Sequence, residues 1–408
     1  MAETGRVFKM AGELILLIRC KNTHGNPQTN IYIYFCHFGA FLCRCREEDA
    51  KKGQVKYIKK QLVITMGYLG AVIGAGFASG QEIVQFFVSY ADQGASGAVL
   101  ATVLFAVFGG MLLWTAHREK ISNYQNMLSY LFGQRLGKIV DFLLAIFLFM
   151  GLSTMLSASG AVFYEHLYLP KYAGILLAFA AIVIALAAGK KSLVFSYNLL
   201  VPIKIVLLLI ISGYIALFAG DAQSAFSSTY IQSSGKNAWV LSSLLYVAYN
   251  FSLAMVVLTE YQSVSSSGDG IKGAVLGGLV LGLLVLLNYV ALCKYLPAVI
   301  HYQVPMLYIA GHVSPLVKYV YTLVLWVGIL TTGIANAYGF AQRFAYFTGI
   351  DYAVCLIICM TLALPVATQS FSSLVNRVYP IFGILGILIL AGLSYNFLRI
   401  WLTGWRNI

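Results

Sequence analysis

The chain has 408 residues, of which 60% are hydrophobic and only 10% charged, and its formal net charge is +13. Mean hydropathy is +0.81, whereas an ordinary soluble domain carries about 25% charge, so the composition excludes a water-soluble globular protein. The basic residues are scattered between apolar runs rather than gathered on one polar face, which argues against a nucleic-acid partner and for charges that flank spans of a lipid bilayer.

Residues 1–55 differ from everything after them. They hold Cys20, Cys36, Cys43 and Cys45 together with His24 and His37, in a spacing that matches no standard zinc-ligand set. The LILLI run is too short for a signal peptide, and no small-residue cleavage site follows it. The segment is expected to be a non-conforming N-terminal extension ahead of a misplaced start, with the ten-span domain over 56–408. Cys293, Cys355 and Cys359 sit in or beside apolar spans and read as packing residues.

Apolar runs of about 20 residues predict ten spans, at 62–90, 95–116, 138–165, 171–188, 192–219, 237–261, 271–293, 316–345, 352–368 and 372–400. The fold class is therefore an all-α polytopic membrane protein. Lys and Arg divide thirteen to five between the two sets of loops, which predicts a multi-pass membrane protein with both termini inside. Spans one to five and six to ten start about 175 to 181 residues apart. Five spans per half is an odd number, so the two halves (62–219 and 237–400) form an inverted repeat.

Span one contains GYLGAVIGAGFASGQEIVQFF, Gly67 to Phe87. Its middle is nearly free of side chains, and each glycine in a helix interior costs about 1 kcal/mol relative to Ala. Gly70/Gly74 and Gly76/Gly80 have the spacing of a close helix-packing seam. The alternative is a broken helix whose bare backbone binds a ligand at mid-membrane. The repeat favours the break and predicts a second one in span six, where Tyr249-Asn250-Phe251-Ser252 interrupts the apolar run. Residues 118–136 are polar and amphipathic and read as an interfacial segment. Asp141, near the end of span three, is expected to pair with a loop base.

With these residues in view the chain resembles a known group. IGAGFASGQE resembles the glycine motif of the first helix of the amino acid–polyamine–organocation superfamily. The end of span six, LTEY at Glu260, and KKSLVFSYNLLVPIKIVLLLIISG, with Lys204, resemble that superfamily's sixth and fifth helices. The likeness covers 56–408 and is nearest to the YkvI-like bacterial membrane proteins. It implies a LeuT-type fold with broken helices one and six, and secondary transport of an amino acid or similar solute. Gln81-Glu82 depart from the apolar residues many permeases carry there, and span six lacks a glycine pair.

The resemblance implies a substrate site made by Gly74, Ala75, Gly76, Ser79, Gly80, Gln81 and Glu82, whose backbone groups hold the solute's carboxylate and amino groups. Tyr246, Tyr249, Asn250 and Phe251 form the facing wall. Glu82 can pair with an amine or take up a proton, since an intramembrane acid costs about 3 kcal/mol or more without a partner. Thr331 and Thr332 resemble a hydroxyl pair that completes a sodium site, although paired threonines also bond to the preceding helical turn. Lys204 is expected near Ala71–Gly74 and Thr331–Thr332, where its ammonium stands in the place of sodium and favours proton coupling; a sodium-coupled symporter is the alternative. No cofactor is called for beyond the coupling ion, and no catalytic or metal set is clustered as an enzyme needs. A channel would show a continuous polar stripe. A solute sensor on the same fold would bind without flux.

Overall fold

Apolar spans of this length satisfy their backbone in a bilayer as helices, and the computed structural model shows them as helices. It describes residues 7–10, 13–16 and 49–405, apart from 91, 188–190, 219–236 and 264. The chain divides into two units, Met1–Lys56 and Tyr57–Ile408. In the first, β1 (Val7–Met10) pairs antiparallel with β2 (Glu13–Leu16), Val7 opposite Leu16. The cysteines and histidines of the zinc reading lie outside the described residues.

Span one runs as α1 (Asp49–Val72), α2 (Ala75–Ser79) and α3 (Gln81–Phe86). After it come α4 (Gln93–Arg118), α5 (Tyr124–His166), α6 (Lys171–Ala187), α7 (Lys191–Phe218) and α8 (Ala238–Glu260). The chain continues with α9 (Ser267–Cys293), a short α10 (Pro305–Val313), α11 (Pro315–Thr348), α12 (Tyr352–Ala367) and α13 (Phe371–Trp405). Among the described residues α4, α5, α8, α9, α11 and α13 are long and apolar enough to cross a membrane, and α6, α7 and α12 hold shorter apolar stretches. With the interrupted span one, these match the ten spans read from the sequence. Of the spanning helices α6 and α12 are the shortest, at 17 and 16 residues, and α5 the longest, at 43.

One expectation is overturned. Span six is not broken: α8 is continuous from Ala238 to Glu260. Its polar residues turn back on their own helix instead of opening it. Asn250 Nδ2 donates to the Tyr246 carbonyl at 3.1 Å, Ser252 Oγ to Ala248 at 2.9 Å and Thr259 Oγ1 to Met255 at 2.6 Å. Such i to i−4 bonds bend helices slightly but leave the backbone ladder intact, and no glycine is present to release it.

The amphipathic segment before span three is the first arm of α5, which turns at Gly133 (φ 77°, ψ 169°). Only glycine reaches that region without strain. Beyond the bend, Gly137 brings the second arm against the Leu128 backbone.

Packing forms two apolar cores. The larger joins α1–α5, α7–α11 and α13, and the smaller is built from α5, α6, α11 and α12, with Cys359 inside it. The most extensive helix contact is α4 with α9, where small residues let the backbones meet. A Cβ at Gly278 would lie 2.4 Å from the Ala106 nitrogen, and one at Gly277 or Gly109 2.9 Å from the Tyr68 ring. Tyr68 of α1 is wedged between these two helices, its hydroxyl donating to the Phe105 carbonyl at 3.0 Å.

Candidate substrate cavity

The break in span one positions the cavity. Helix α1 ends at Val72, Gly74 is extended (φ −77°, ψ −173°), and Gly80 is left-handed (φ 83°) between α2 and α3. A broken helix in a membrane must find donors for its freed carbonyls, and this one does. Lys204 Nζ of α7 donates to the Ile73 carbonyl at 3.1 Å, Ser79 Oγ to Gly76 at 2.7 Å, and the Tyr321 hydroxyl of α11 to Ala78 at 2.5 Å. Ser79 is local to α2, but Lys204 and Tyr321 reach the break from distant helices, so tertiary structure helps to fix it.

Beside the break lies a cavity of about 670 Å³. Of the residues expected in the site, Ala71, Gly74, Ala75, Gly76, Glu82, Lys204, Tyr249, Asn250 and Thr332 line it. The rest are placed behind the wall. Ser79, the last residue of α2, accepts from the Gln81 amide at the start of α3 at 3.2 Å. Gly80 packs beneath Met306, Phe251 against Phe108 at 5.9 Å between ring centres, and Thr331 is buried on α11. Tyr246 stands one layer back, its ring 5.7 Å from that of Tyr249.

Glu82 is 4% exposed. Its Oε1 fills the space over Gly76 that a Cβ would need, and the Tyr379 hydroxyl faces the same spot. The carboxyl group lies beside Tyr249 and Asn250. Its Oε2 has no hydrogen-bond partner among the described residues, and neither do the hydroxyls of Tyr246 and Tyr249 or the Gln81 Oε1. The tyrosines form one aromatic group: the ring of Tyr249 is 4.9 Å from Tyr379 and 5.6 Å from Phe86, and Phe147 closes on both tyrosines at 6.4 Å.

Lys204 is 3% exposed. Besides Ile73 it faces α11 at Gly328, where a Cβ would lie 3.3 Å from its Cδ and 3.8 Å from Nζ. The Gly328 carbonyl accepts from Thr331 Oγ1 at 3.0 Å and Thr332 Oγ1 at 2.9 Å. Lys204 thus stands between the break and the threonine pair.

The cavity is open at one end and covered at the other. Its lining runs out along Gly67, Met66, Val63 and Leu62 of α1 and to Arg343 of α11, and Leu62 and Val63 are half exposed. At that mouth Arg343 pairs with Asp141 at 3.4 Å and donates to the Tyr124 hydroxyl at 2.9 Å. Asp141 therefore has a base on a spanning helix as its partner, not the loop base expected, because α11 extends past the bilayer-length run. At the far end α10 covers Gly80 through Met306 and Pro305. Beside it the Glu165 carboxylate accepts from the Gln303 amide (3.0 Å), Gln303 Nε2 (3.1 Å) and the Val304 amide (3.3 Å). The Phe371 amide at the start of α13 donates to Gln303 Oε1 at 2.7 Å.

Tyr379, Asn336, Arg343 and Phe147 also line the cavity and were not singled out from the sequence. Tyr379 is followed by Pro380 inside α13, the one local signal that could have marked it.

No family model matches the chain. It is 30% identical over 337 residues to the membrane protein YkvI of Bacillus subtilis, a match spanning 80% of this chain and 93% of that protein. It is 26% identical over 335 residues to the protein YyaD of the same organism, spanning 82% and 96%. Among solved structures it resembles MhsT in complex with L-phenylalanine, with a TM-score of 0.58 at 16% identity, over 80% of this chain and 87% of that one. It also resembles a manganese transporter of Eremococcus coleocola, with a TM-score of 0.56 at 11% identity, over 86% and 80%. With nearly the whole of YkvI matched and the fold shared with MhsT, this chain belongs to the YkvI family of membrane proteins and has the LeuT-type fold.

Proposed function

We propose that this protein is a secondary transporter of the cytoplasmic membrane that moves an amino acid or a related small solute by alternating access, and that it is coupled to protons. The observation that carries the coupling is Lys204. Its buried ammonium bonds to the Ile73 carbonyl at the break and faces Gly328 beside Thr331 and Thr332. A fixed ammonium and a sodium ion compete for the same few carbonyl and hydroxyl oxygens, and an intramembrane cation held by so few partners is a natural proton carrier. One open and one covered end is the arrangement of a single state in an alternating cycle. By the distribution of Lys and Arg, the open end faces the cytoplasm.

Uptake into proteoliposomes, over a panel of amino acids and amines with imposed proton or sodium gradients, tests this reading. Accumulation should follow the proton gradient without sodium. Lys204→Met should abolish it while the purified protein keeps its helicity and monodispersity. Strict sodium dependence at constant pH refutes the coupling. Binding without flux of any solute refutes transport and supports a sensor.

A further inference from the structure

The sequence motif calls for a solute carboxylate against the bare backbone of the first-span break, but at Gly76 that place is taken, while Gly74 faces open space. Glu82 Oε1 fills the volume over Gly76, with the Tyr379 hydroxyl beside it. A ligand carboxylate set against Gly76 would meet the protein's own carboxylate at contact distance, and two like charges that close repel strongly where water is scarce. Helices α2 and α3, at five and six residues, are too short to offset this with a dipole.

Glu82 also lacks a cation. Among the described residues no Lys, Arg or His lies within salt-bridge distance of it, and Oε2 has no hydrogen-bond partner. Lys204, which lines the same cavity, is turned to the Ile73 carbonyl. An acid buried to 4% exposure carries its charge only when a cation accompanies it. Around it stand the rings of Tyr249, Tyr379, Tyr246 and Phe147. Aromatic faces next to a carboxylate suit a substituted ammonium group. Further along, the cavity wall is apolar, with Leu144, Met155, Leu253 and Val256.

We propose that the cavity selects an organic amine: a cationic nitrogen seated between Glu82 and the tyrosines, an apolar body against the aliphatic wall, and no carboxylate on the carbon next to the nitrogen. Glu82 takes the part that the carboxylate of an amino acid would otherwise play at the break. The inference rests on the transporter reading and narrows its solute to the amine side of that class.

Two matched ligand sets test it on the purified full chain by calorimetry or thermal shift. One is 2-phenylethylamine, L-phenylalanine and 3-phenylpropionate; the other is 3-methylbutylamine, L-leucine and 4-methylpentanoate. In at least one set the amine should bind tenfold or more tightly than the amino acid, and the acid should not bind. Glu82→Gln should weaken the amine by tenfold or more and leave the mutant's helicity intact. Because the ligand comparison is made on the wild-type chain, it stands even where that variant does not fold. Amino acids binding as tightly as their amines, or carboxylate-bearing solutes transported while no amine binds, overturn the inference and leave transport in place. Amine binding with no flux of any solute supports the inference and removes transport.

Discussion

Replacing Gly278 with Ala sets two opposing effects against each other. Ala favours a helix over Gly by about 1 kcal/mol, so on propensity alone the substitution stabilises α9. At this position, however, the new methyl would lie 2.4 Å from the Ala106 nitrogen, 2.6 Å from its Cα and 2.6 Å from the Phe105 carbonyl carbon. Ordinary carbon contacts are about 3.5–4.0 Å, so α4 and α9 must part by roughly 1 Å over the closest stretch of their contact. All three obstructing atoms are backbone, and no rotamer change relieves them. Overpacking of this kind costs about 1–3 kcal/mol, which outweighs propensity. Gly213 of α7 is the control, since its Cβ would meet nothing within 4 Å and Ala there should stabilise by up to about 1 kcal/mol. In a detergent thermal-unfolding assay, G278A should melt several degrees below wild type and G213A at or above it. A G278A protein as stable as G213A would refute the close approach of α4 and α9.

Gly133→Ala should destabilise by about 1–3 kcal/mol through backbone strain alone, because its Cβ has open space and its φ is 77°; Gly268→Ala, also in open space but helical, should not, and thermal unfolding separates the two. Tyr321→Phe removes the donor to the Ala78 carbonyl and leaves a buried acceptor unpaired, so stability should fall by about 1–3 kcal/mol, with faster hydrogen exchange at α2. Arg343→Lys keeps the charge but loses the planar group that stacks 5.0 Å over Tyr124 and bonds its hydroxyl. It should loosen the mouth of the cavity and raise the labelling rate of a cysteine placed at Leu148; labelling unchanged from wild type would show that the pair does not order the mouth.

Spans were legible because a bilayer allows few ways to satisfy a backbone, and apolar length alone betrays them. The break in span one was legible for a similar reason: Gly74, Gly76 and Gly80 in one helix have few structural excuses. Span six misled because a polar side chain in a helix has two outlets, and the string does not say which one Asn250 or Ser252 takes; both chose the carbonyl four residues back. Tyr379 was hidden because a lone tyrosine among apolar residues looks like core until a neighbouring helix brings Glu82 to it. Helix α10, nine residues long, falls below the length that hydropathy detects, and so the cover over Gly80 could not be foreseen. Glu82 itself was conspicuous as an acid in an apolar run, but its position over Gly76 depends on the turn at Gly80.

The knot at the covered end has a kinetic consequence. Gln303 is tied to Glu165 through both its backbone and its side chain, and to Phe371 through the opposite face of the same amide. A single residue thus fastens the ends of α5 and α13 to the approach to α10, but through separate bonds. Releasing α13 breaks only the Phe371 bond, whereas releasing α5 breaks its bonds to the Gln303 side chain, the Gln303 amide and the Val304 amide. Opening on that side should therefore proceed in two steps, α13 first, with a short-lived intermediate in single-molecule recordings.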